Sequence, residues 1–217
     1  MPYAIDLHTH SIASPDGSLT ASDYRAILQR GRLQYIAVTD HNTVDFALAL
    51  RAELGDCIIV GEEISTGDGE IIGLYLTKTI PPKRTAAEAV KAIQKQGGLV
   101  YVPHPFETVR KGITPQALQQ IAVDVDIIEV HNGRALFQNF SKETLGWAKA
   151  HSVPGAASSD AHGFAGWGRT CSIIEEIPTR DTLSGLLGFA TLNRGFVGAR
   201  GVLYPKFNRI RKRFRGA

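Results

Sequence analysis

Short apolar runs alternate along the chain with stretches whose apolar residues recur at helical spacing. The runs cover residues 3–8 ("YAIDLH"), 35–41 ("YIAVTDH"), 57–63 ("CIIVGEE"), 70–76 ("EIIGLYL"), 99–105 ("LVYVPHP") and 126–132 ("DIIEVHN"), with two shorter ones in "GAASSDAH" and "CSII". Their length and bounding turn residues predict strands. Between them the spacing predicts helices: at "LTASDYRAILQRGR", where Thr20 or Ser22 stands ready to cap; at about 43–53; over "RTAAEAVKAIQKQGG", which stops at Gly97-Gly98; at about 114–122; across "SKETLGWAKAH"; and at 179–190. Strands alternating with helices predict an α/β fold with a parallel sheet, open or closed into a barrel. The strand interiors are almost wholly apolar, as they are when both faces of a sheet are covered. No internal repeat or low-complexity segment interrupts the pattern.

Polar residues recur at one place in it, the C-terminal ends of the strands. The clusters are His8/His10, Asp40/His41, Glu62/Glu63, His104, His131 and Asp160/His162, so that six of the seven histidines sit at strand ends. Residues two apart on a strand share a face, which makes His8 and His10 converge. In (β/α) barrels this end of the strands carries the active site. A set rich in histidine and carboxylate and free of cysteine suits Zn²⁺, Mn²⁺ or Fe²⁺ and disfavours a closed structural zinc site. His151, late in a helix, reads as structural or solvent-facing.

Composition narrows the class further. A chain of 217 residues with 43% hydrophobic and 21% charged residues fits one globular domain. The longest apolar runs are about seven residues, far short of a membrane span, and "MPYAIDLH" lacks the basic-then-apolar pattern of a signal peptide. Cys57 and Cys171 are too few for a disulfide framework and fit a reducing, cytoplasmic setting. The net charge is +3, but the last twelve residues hold six basic side chains and no acid, which leaves −3 for residues 1–205. The body is mildly acidic, and a tail over 204–217 makes the chain basic. In "YPKFNRIRKRFRGA", Phe207, Ile210 and Phe214 fall on one helical face. The tail reads either as a frayed basic terminus or as a segment that docks on the body or meets an anionic surface, nucleic acid or membrane.

The motifs "LHTHS", "SPDG", "TDH", "GEE", "PHP" and "SDAH", in that order from residue 4 to about 200, resemble the PHP (polymerase and histidinol phosphatase) superfamily. The resemblance implies a distorted (β/α)7, TIM-like barrel over residues 1–203. It also implies two or three divalent metal ions (Mn, Zn or Fe) at the C-terminal mouth, and a stand-alone phosphoesterase. Carried over by position, His8 and His10 would bind a first metal with Asp160, and Glu63 would bridge it to another. Asp16 would join His41 and His162 on a second metal, and His104 would help hold a third. The family often reads H-I-L-G after the glutamate strand where this chain reads "EIIG", so Glu70 stands in the place of a histidine ligand. Asp16, Glu63 and Asp160 are also the expected catalytic carboxylates.

The chemistry agrees with this inventory. Hydrolysis of a phosphate ester needs the anion neutralised and a nucleophile generated at neutral pH. Paired divalent ions about 3.5–4 Å apart clamp the attacking and leaving oxygens and lower the pKa of bound water to ~7, so a metal-bound hydroxide would be the nucleophile. The four carboxylates Asp16, Glu63, Glu70 and Asp160 bring −4 against +4 to +6 from two or three ions, leaving positive charge for a phosphate. His131, Arg134 and Arg169 are the expected substrate contacts, arginine being suited to bidentate phosphate binding. Asp40 is expected to orient a ligand histidine, while Ser11 and Ser14 read as pocket hydroxyls or turn formers. The substrate is either a small phosphomonoester or a nucleotide or short oligonucleotide, and the stretch between His131 and Asp160 has room for one helix and its loops.

Two other classes are compatible with parts of the pattern. An amidohydrolase barrel also opens with His-x-His, but it wants a lysine on a central strand. "LVYVPHP" and "DIIEVHN" hold none, and Lys78 alone lies near a strand end. A non-catalytic metal-binding module, recruited to nucleic acid by the basic tail, would be expected to lack ligands, and this set is almost complete.

Overall fold

The structure is a computed structural model that describes residues 2–136 and 138–215. Among these, nine strands form one sheet: β1 Tyr3–Asp6, β2 Tyr35–Val38, β3 Ile58–Thr66, β4 Gly69–Leu74, β5 Leu99–Val102, β6 Ile127–Asn132, β7 Gly155–Ser158, β8 Thr170–Ile174 and β9 Thr191–Arg194. Their order across the sheet is β7-β6-β5-β4-β3-β2-β1-β8-β9. The sheet curls until β7 reaches β8, where Ala157 N–H donates to Ser172 Oγ at 3.0 Å, and a parallel bridge joins Thr9 to Ala161 beyond the ends of β1 and β7. The result is a nearly closed, TIM-like α/β barrel.

Side-chain alternation explains why the strands read as unbroken apolar runs. Ile5, Ala37, Ile59, Ile72, Leu99, Tyr101 and Ile127 fill the barrel, joined by Leu183 and Leu187 from α6 (Leu183–Leu187). Ile36, Val38, Ile58, Val60, Val100, Val102 and Ile128 face outward. They pack on α1 (Ala21–Gln29), α2 (Asp45–Leu54), α3 (Ala86–Lys95), α4 (Pro115–Gln120) and α5 (Ser141–His151). Thr20 caps α1 in a capping box, its side chain accepting from Asp23 N–H while Asp23 Oδ2 accepts from Thr20 N–H at 2.9 Å. That cap fixes the chain's course directly after the histidine-bearing loop.

The expectation of a parallel sheet holds only in part. β1–β2–β3 and β5–β6–β7 are parallel, but β4 runs antiparallel to both neighbours. Its link to β3 is the two-residue turn Gly67-Asp68, and a parallel return needs a crossover of a dozen residues or so. β8 is antiparallel to β1, and β9 to β8. The helix expected at 179–190 is confined to α6, and β9 is mostly exposed and carries no apolar run. The chain ends in α7 (Gly198–Arg215), which begins before the expected tail. Gly216 and Ala217 of that tail lie outside the described residues. No described helix is long and apolar enough to cross a membrane.

Candidate metal centre at the barrel mouth

The strand ends deliver the predicted ligands to one cleft of about 350 Å³, with His10, Asp16, His41, Glu63, Glu70, His104, Asp160 and His162 in its wall and His8 buried beneath. Because β4 runs antiparallel, it is its first turn of chain, with Glu70, that reaches the mouth. Glu63 is the hub. Its Oε1 lies 3.5 Å from His8 Nε2 and 3.2 Å from His104 Nε2, and its Oε2 lies 3.3 Å from His10 Nε2 and 3.2 Å from His41 Nδ1. Asp160 Oδ1 is 3.7 Å from His8 Nε2 and 3.6 Å from His10 Nε2. Asp16 Oδ1 is 3.6 Å from His41 Nε2 and 3.5 Å from His162 Nε2. Glu70 Oε1 is 3.7 Å from His41 Nδ1.

Hydrogen bonding assigns the tautomers that test this set against a metal. His8 Nδ1 lies 3.2 Å from Glu129 Oε1, and the carboxylate can only accept, so Nδ1 carries the proton. His10 Nδ1 lies 3.1 Å from Ser14 Oγ, whose own hydrogen is given to Asp40 Oδ1 at 2.6 Å, so His10 Nδ1 also donates. The two Nε2 atoms face each other at 3.1 Å, beside the oxygens of Glu63 and Asp160, and are the atoms left for a cation when the rings are neutral. Two ring nitrogens and two carboxylates converging on one point fit a divalent cation, and the outer partners Glu129 and Ser14 are the kind that orient metal-bound histidines. Asp16 Oδ1 and His104 Nδ1 are buried without hydrogen-bond partners. Three-residue groups able to hold an ion are His8/His10/Glu63, His8/His104/Asp160, His10/His41/His162 and His41/Glu63/Glu70.

Electrostatics keep most of these groups in ligand form. Burial works against ionisation of Asp160, but Arg134, His8, His162 and Arg110 hold its pKa well below the usual carboxylate range. Glu63 is likewise held down against burial by His8 and His41. Burial, with His10 and Arg134, lowers His162 to about 3 and keeps it neutral. Burial and the charge on Glu63 push Glu70 up to about 9. For His8 burial opposes charge, yet Asp160, Glu63 and Glu129 drive its pKa well up, and the field that draws a proton there draws any cation.

His104 and Asp160 have positive φ, 25° and 52°, a conformation that needs support from outside the residue. His104 N–H is held by Glu129 Oε2 at 2.7 Å. Asp160 follows Ser159, whose N–H and hydroxyl both bond Asp6 at 3.0 and 2.5 Å. Asp40 orients His10 through Ser14 and also binds Ser11 N–H at 2.8 Å, so both serines serve as braces.

The expected substrate contacts separate. Arg134 lies in the cleft, with Nη1 3.0 Å from Asp160 Oδ2 and 3.1 Å from His162 Nδ1. His131 does not face the mouth: a bulge between Glu129 and His131 breaks the alternation of β6 and leaves it beside Phe140, Ser141 and Thr144. Arg169 is exposed and outside the cleft wall, because the pairing of Thr170 with Arg194 holds it at the β8–β9 edge.

Four residues of the site escape the sequence reading. Glu129 shares the inward face of β6 with Ile127, and a glutamate at that parity in an apolar strand is a signal. Arg110 donates to Asp160 Oδ2 at 3.0 Å and to Glu107 but comes from a stretch without periodicity, while Asn132, which joins the same cluster, ends β6 beyond the bulge. Arg209 of α7 donates to Asp16 Oδ2 at 2.6 Å.

Comparison with known proteins agrees with the geometry. No family model matches the chain. It is 31% identical over 140 residues to an uncharacterised protein of Methanocaldococcus jannaschii, spanning 58% of this chain and 80% of that one. It is 28% identical over 239 residues to a protein of Shewanella sp. (strain MR-4) named a probable phosphatase, spanning 93% and 94%. Among solved structures, a two-domain Bacteroides vulgatus protein containing a predicted PHP-like metal-dependent phosphoesterase superposes with a TM-score of 0.69 at 20% identity, over 96% of this chain and 70% of that one. Endonuclease Q, solved with a 27-mer duplex bearing an abasic lesion at the active site, gives 0.57 at 15% identity, over 86% and 56%. Fold and mouth together define a TIM-like barrel built around a cluster of histidines and carboxylates able to hold divalent ions. The chain belongs to the PHP (polymerase and histidinol phosphatase) superfamily.

Proposed function

We propose that the protein hydrolyses phosphate esters, with two or three divalent ions held by His8, His10, Asp16, His41, Glu63, His104, Asp160 and His162, and with Glu70 as a further ligand. The observation that carries this reading is the convergence of His8 Nε2 and His10 Nε2, 3.1 Å apart, beside the two ionised carboxylates of Glu63 and Asp160. Divalent ions in such a set supply Lewis-acid polarisation of a phosphoryl oxygen and activate water at neutral pH. The chain's own part is to bind and orient the ester. Arg134 and Lys111 stand in the cleft wall as anion-binding groups. Arg110, braced by Glu107, pins Asp160, so that this ligand keeps one orientation. Mn²⁺, Zn²⁺ and Fe²⁺ all suit the donor set. The names of the Shewanella relative and of endonuclease Q favour a phosphomonoester or a nucleotide phosphate as the bond cut.

The test is turnover of an aryl phosphate monoester and its diester by metal-stripped protein, with Mn²⁺, Zn²⁺ or Fe²⁺ added back. Metal-dependent hydrolysis, lost in Asp160→Asn/His162→Ala, is expected, and the monoester/diester ratio separates the two substrate classes. Failure of any metal to bind would overturn the reading.

A further inference from the structure

The polarity of α7 is inverted relative to an ordinary surface helix. At 3.6 residues per turn, Gly201, Pro205, Asn208 and Lys212 fall on one side, and Leu203, Phe207, Ile210 and Phe214 on the opposite side. The first side faces the barrel. Gly201, Pro205 and Asn208 are buried, Asn208 Nδ2 donates to the carbonyls of Asp16 at 2.7 Å and His162 at 3.0 Å, and Lys212 Nζ donates to those of Ile12 at 2.7 Å and Ser14 at 2.5 Å. Asn208 and Lys212 therefore point inward and are spent. The apolar side points outward, with Leu203 46%, Phe207 62%, Ile210 45% and Phe214 80% exposed. Lys206 and Arg213 flank this stripe on one edge and Arg200 and Arg211 on the other, all exposed, and the helix contains no acidic residue.

A continuous apolar stripe bordered on both edges by cations is the pattern of a helix lying in a lipid headgroup region. We infer that α7 is an interfacial helix that seats the barrel on an anionic membrane surface. Charge complementarity selects the occupant. A second copy of the chain would bring two acid-free basic helices together. A nucleic acid would use the cations but gain nothing from Leu203 and Ile210, which cannot stack on bases. An anionic bilayer uses both, the basic edges meeting phosphate and carboxylate headgroups and the stripe entering the acyl boundary. Leu203 and Ile210 also line a groove of about 500 Å³ whose far wall holds Glu107, Val109, Arg110, Arg134, Leu136 and Gln138, and Arg110 and Arg134 also line the cleft, so the docked face adjoins the barrel mouth.

The experiment is flotation of the full chain with vesicles of phosphatidylcholine alone and of phosphatidylcholine mixed with phosphatidylserine. Binding to the mixed vesicles only, weakening with added salt, is expected. Phe207→Ser/Phe214→Ser and Lys206→Gln/Arg211→Gln/Arg213→Gln should each lower it by at least roughly tenfold. Both leave the melting temperature unchanged, because the altered side chains are exposed. Phe189→Ser, which removes a 93% exposed aromatic at the opposite end of the barrel, should leave binding intact. Equal binding to neutral vesicles, no binding, or insensitivity to the aromatic pair would overturn the inference. So would capture of a labelled oligothymidylate in place of vesicles, or self-association that the aromatic pair abolishes.

Discussion

Glu129 shows how much of the centre is decided one atom beyond its ligands. Its two oxygens accept from His8 Nδ1, Tyr101 hydroxyl, His104 N–H and Asn132 Nδ2, so one carboxylate sets the tautomer of one proposed ligand and the backbone position of another. Glu129→Gln keeps the size and loses the obligate acceptor, and divalent-ion affinity should fall about 10–100-fold by competition against a chromophoric chelator, with the fold retained. Unchanged affinity would mean that His8 is oriented by something else. A residue remote from the ions answers to pH instead. Burial pushes the Cys171 thiol up to about 12. Between its ordinary value of 9.0 and about 12 the unfolded chain gives up a proton that the folded chain keeps, so this group's contribution to stability falls as pH rises. The stability gap between the native protein and Cys171→Ala should therefore narrow from pH 9 upward in urea titrations. Sequence showed most of the proposed ligands because they stand where apolar strands end, whereas Asp16, in a turn, and Glu70, at the start of its strand, were carried by the family motifs. It showed less of what braces them: Glu129 had strand parity to betray it, whereas Arg110 had none. His131 was misdirected by a bulge that leaves no mark in residue type.

The β3–β4 hairpin is the element that most shapes the site, since Glu63 and Glu70 lie on its two arms and Ser65 pairs with Glu70. Its turn ends at Gly69, whose φ is 125° and where an added Cβ would stand 2.6 Å from Ile113 Cα. Gly97, after α3, also has positive φ, 72°, but an added Cβ meets nothing within 4 Å. Gly97→Ala should cost about 1 kcal/mol for the left-handed backbone alone. Gly69→Ala should exceed it by about 2 kcal/mol from strain and overlap, and it should weaken metal binding as well because Glu70 is next in the chain. Chemical denaturation of the pair checks the first point and metal titration the second. Elements with a buried apolar run were legible in the sequence to within a few residues. Strand direction was not, because it depends on connection length, and β9 was not, because three of its four residues are exposed.

The whole barrel converges charge on its mouth. Asp16, Glu63, Asp160 and Glu129 are held ionised in one buried region by histidines and the cations around them, with Arg110 and Arg134 on Asp160 and Arg209 on Asp16. Removing bound divalent ions should therefore destabilise the entire fold. An ion at a hundred times its dissociation constant adds about 2.7 kcal/mol, which for a chain of this length moves the melting temperature by roughly 5–10 °C. Calorimetry before and after chelation, with the shift restored by the ion, is the check, and an unmoved transition would count against the centre. The alternation of strands and helices left the sheet open or closed, and the family resemblance supplied the barrel; the position of the mouth was legible from the polar breaks at the strand ends.

Asp16 belongs to two structures at once. One oxygen points into the centre and the other is held by Arg209, while its carbonyl and that of His162 are held by Asn208. The first loop of the chain and its last helix are thus coupled through a single carboxylate. Thermodynamic linkage then makes the coupling reciprocal: the factor by which an ion on Asp16 steadies α7 is the factor by which a partner that steadies α7 tightens the ion. If Asp16 holds an ion and α7 meets a surface, as proposed, where the molecule sits and whether it is loaded become one equilibrium.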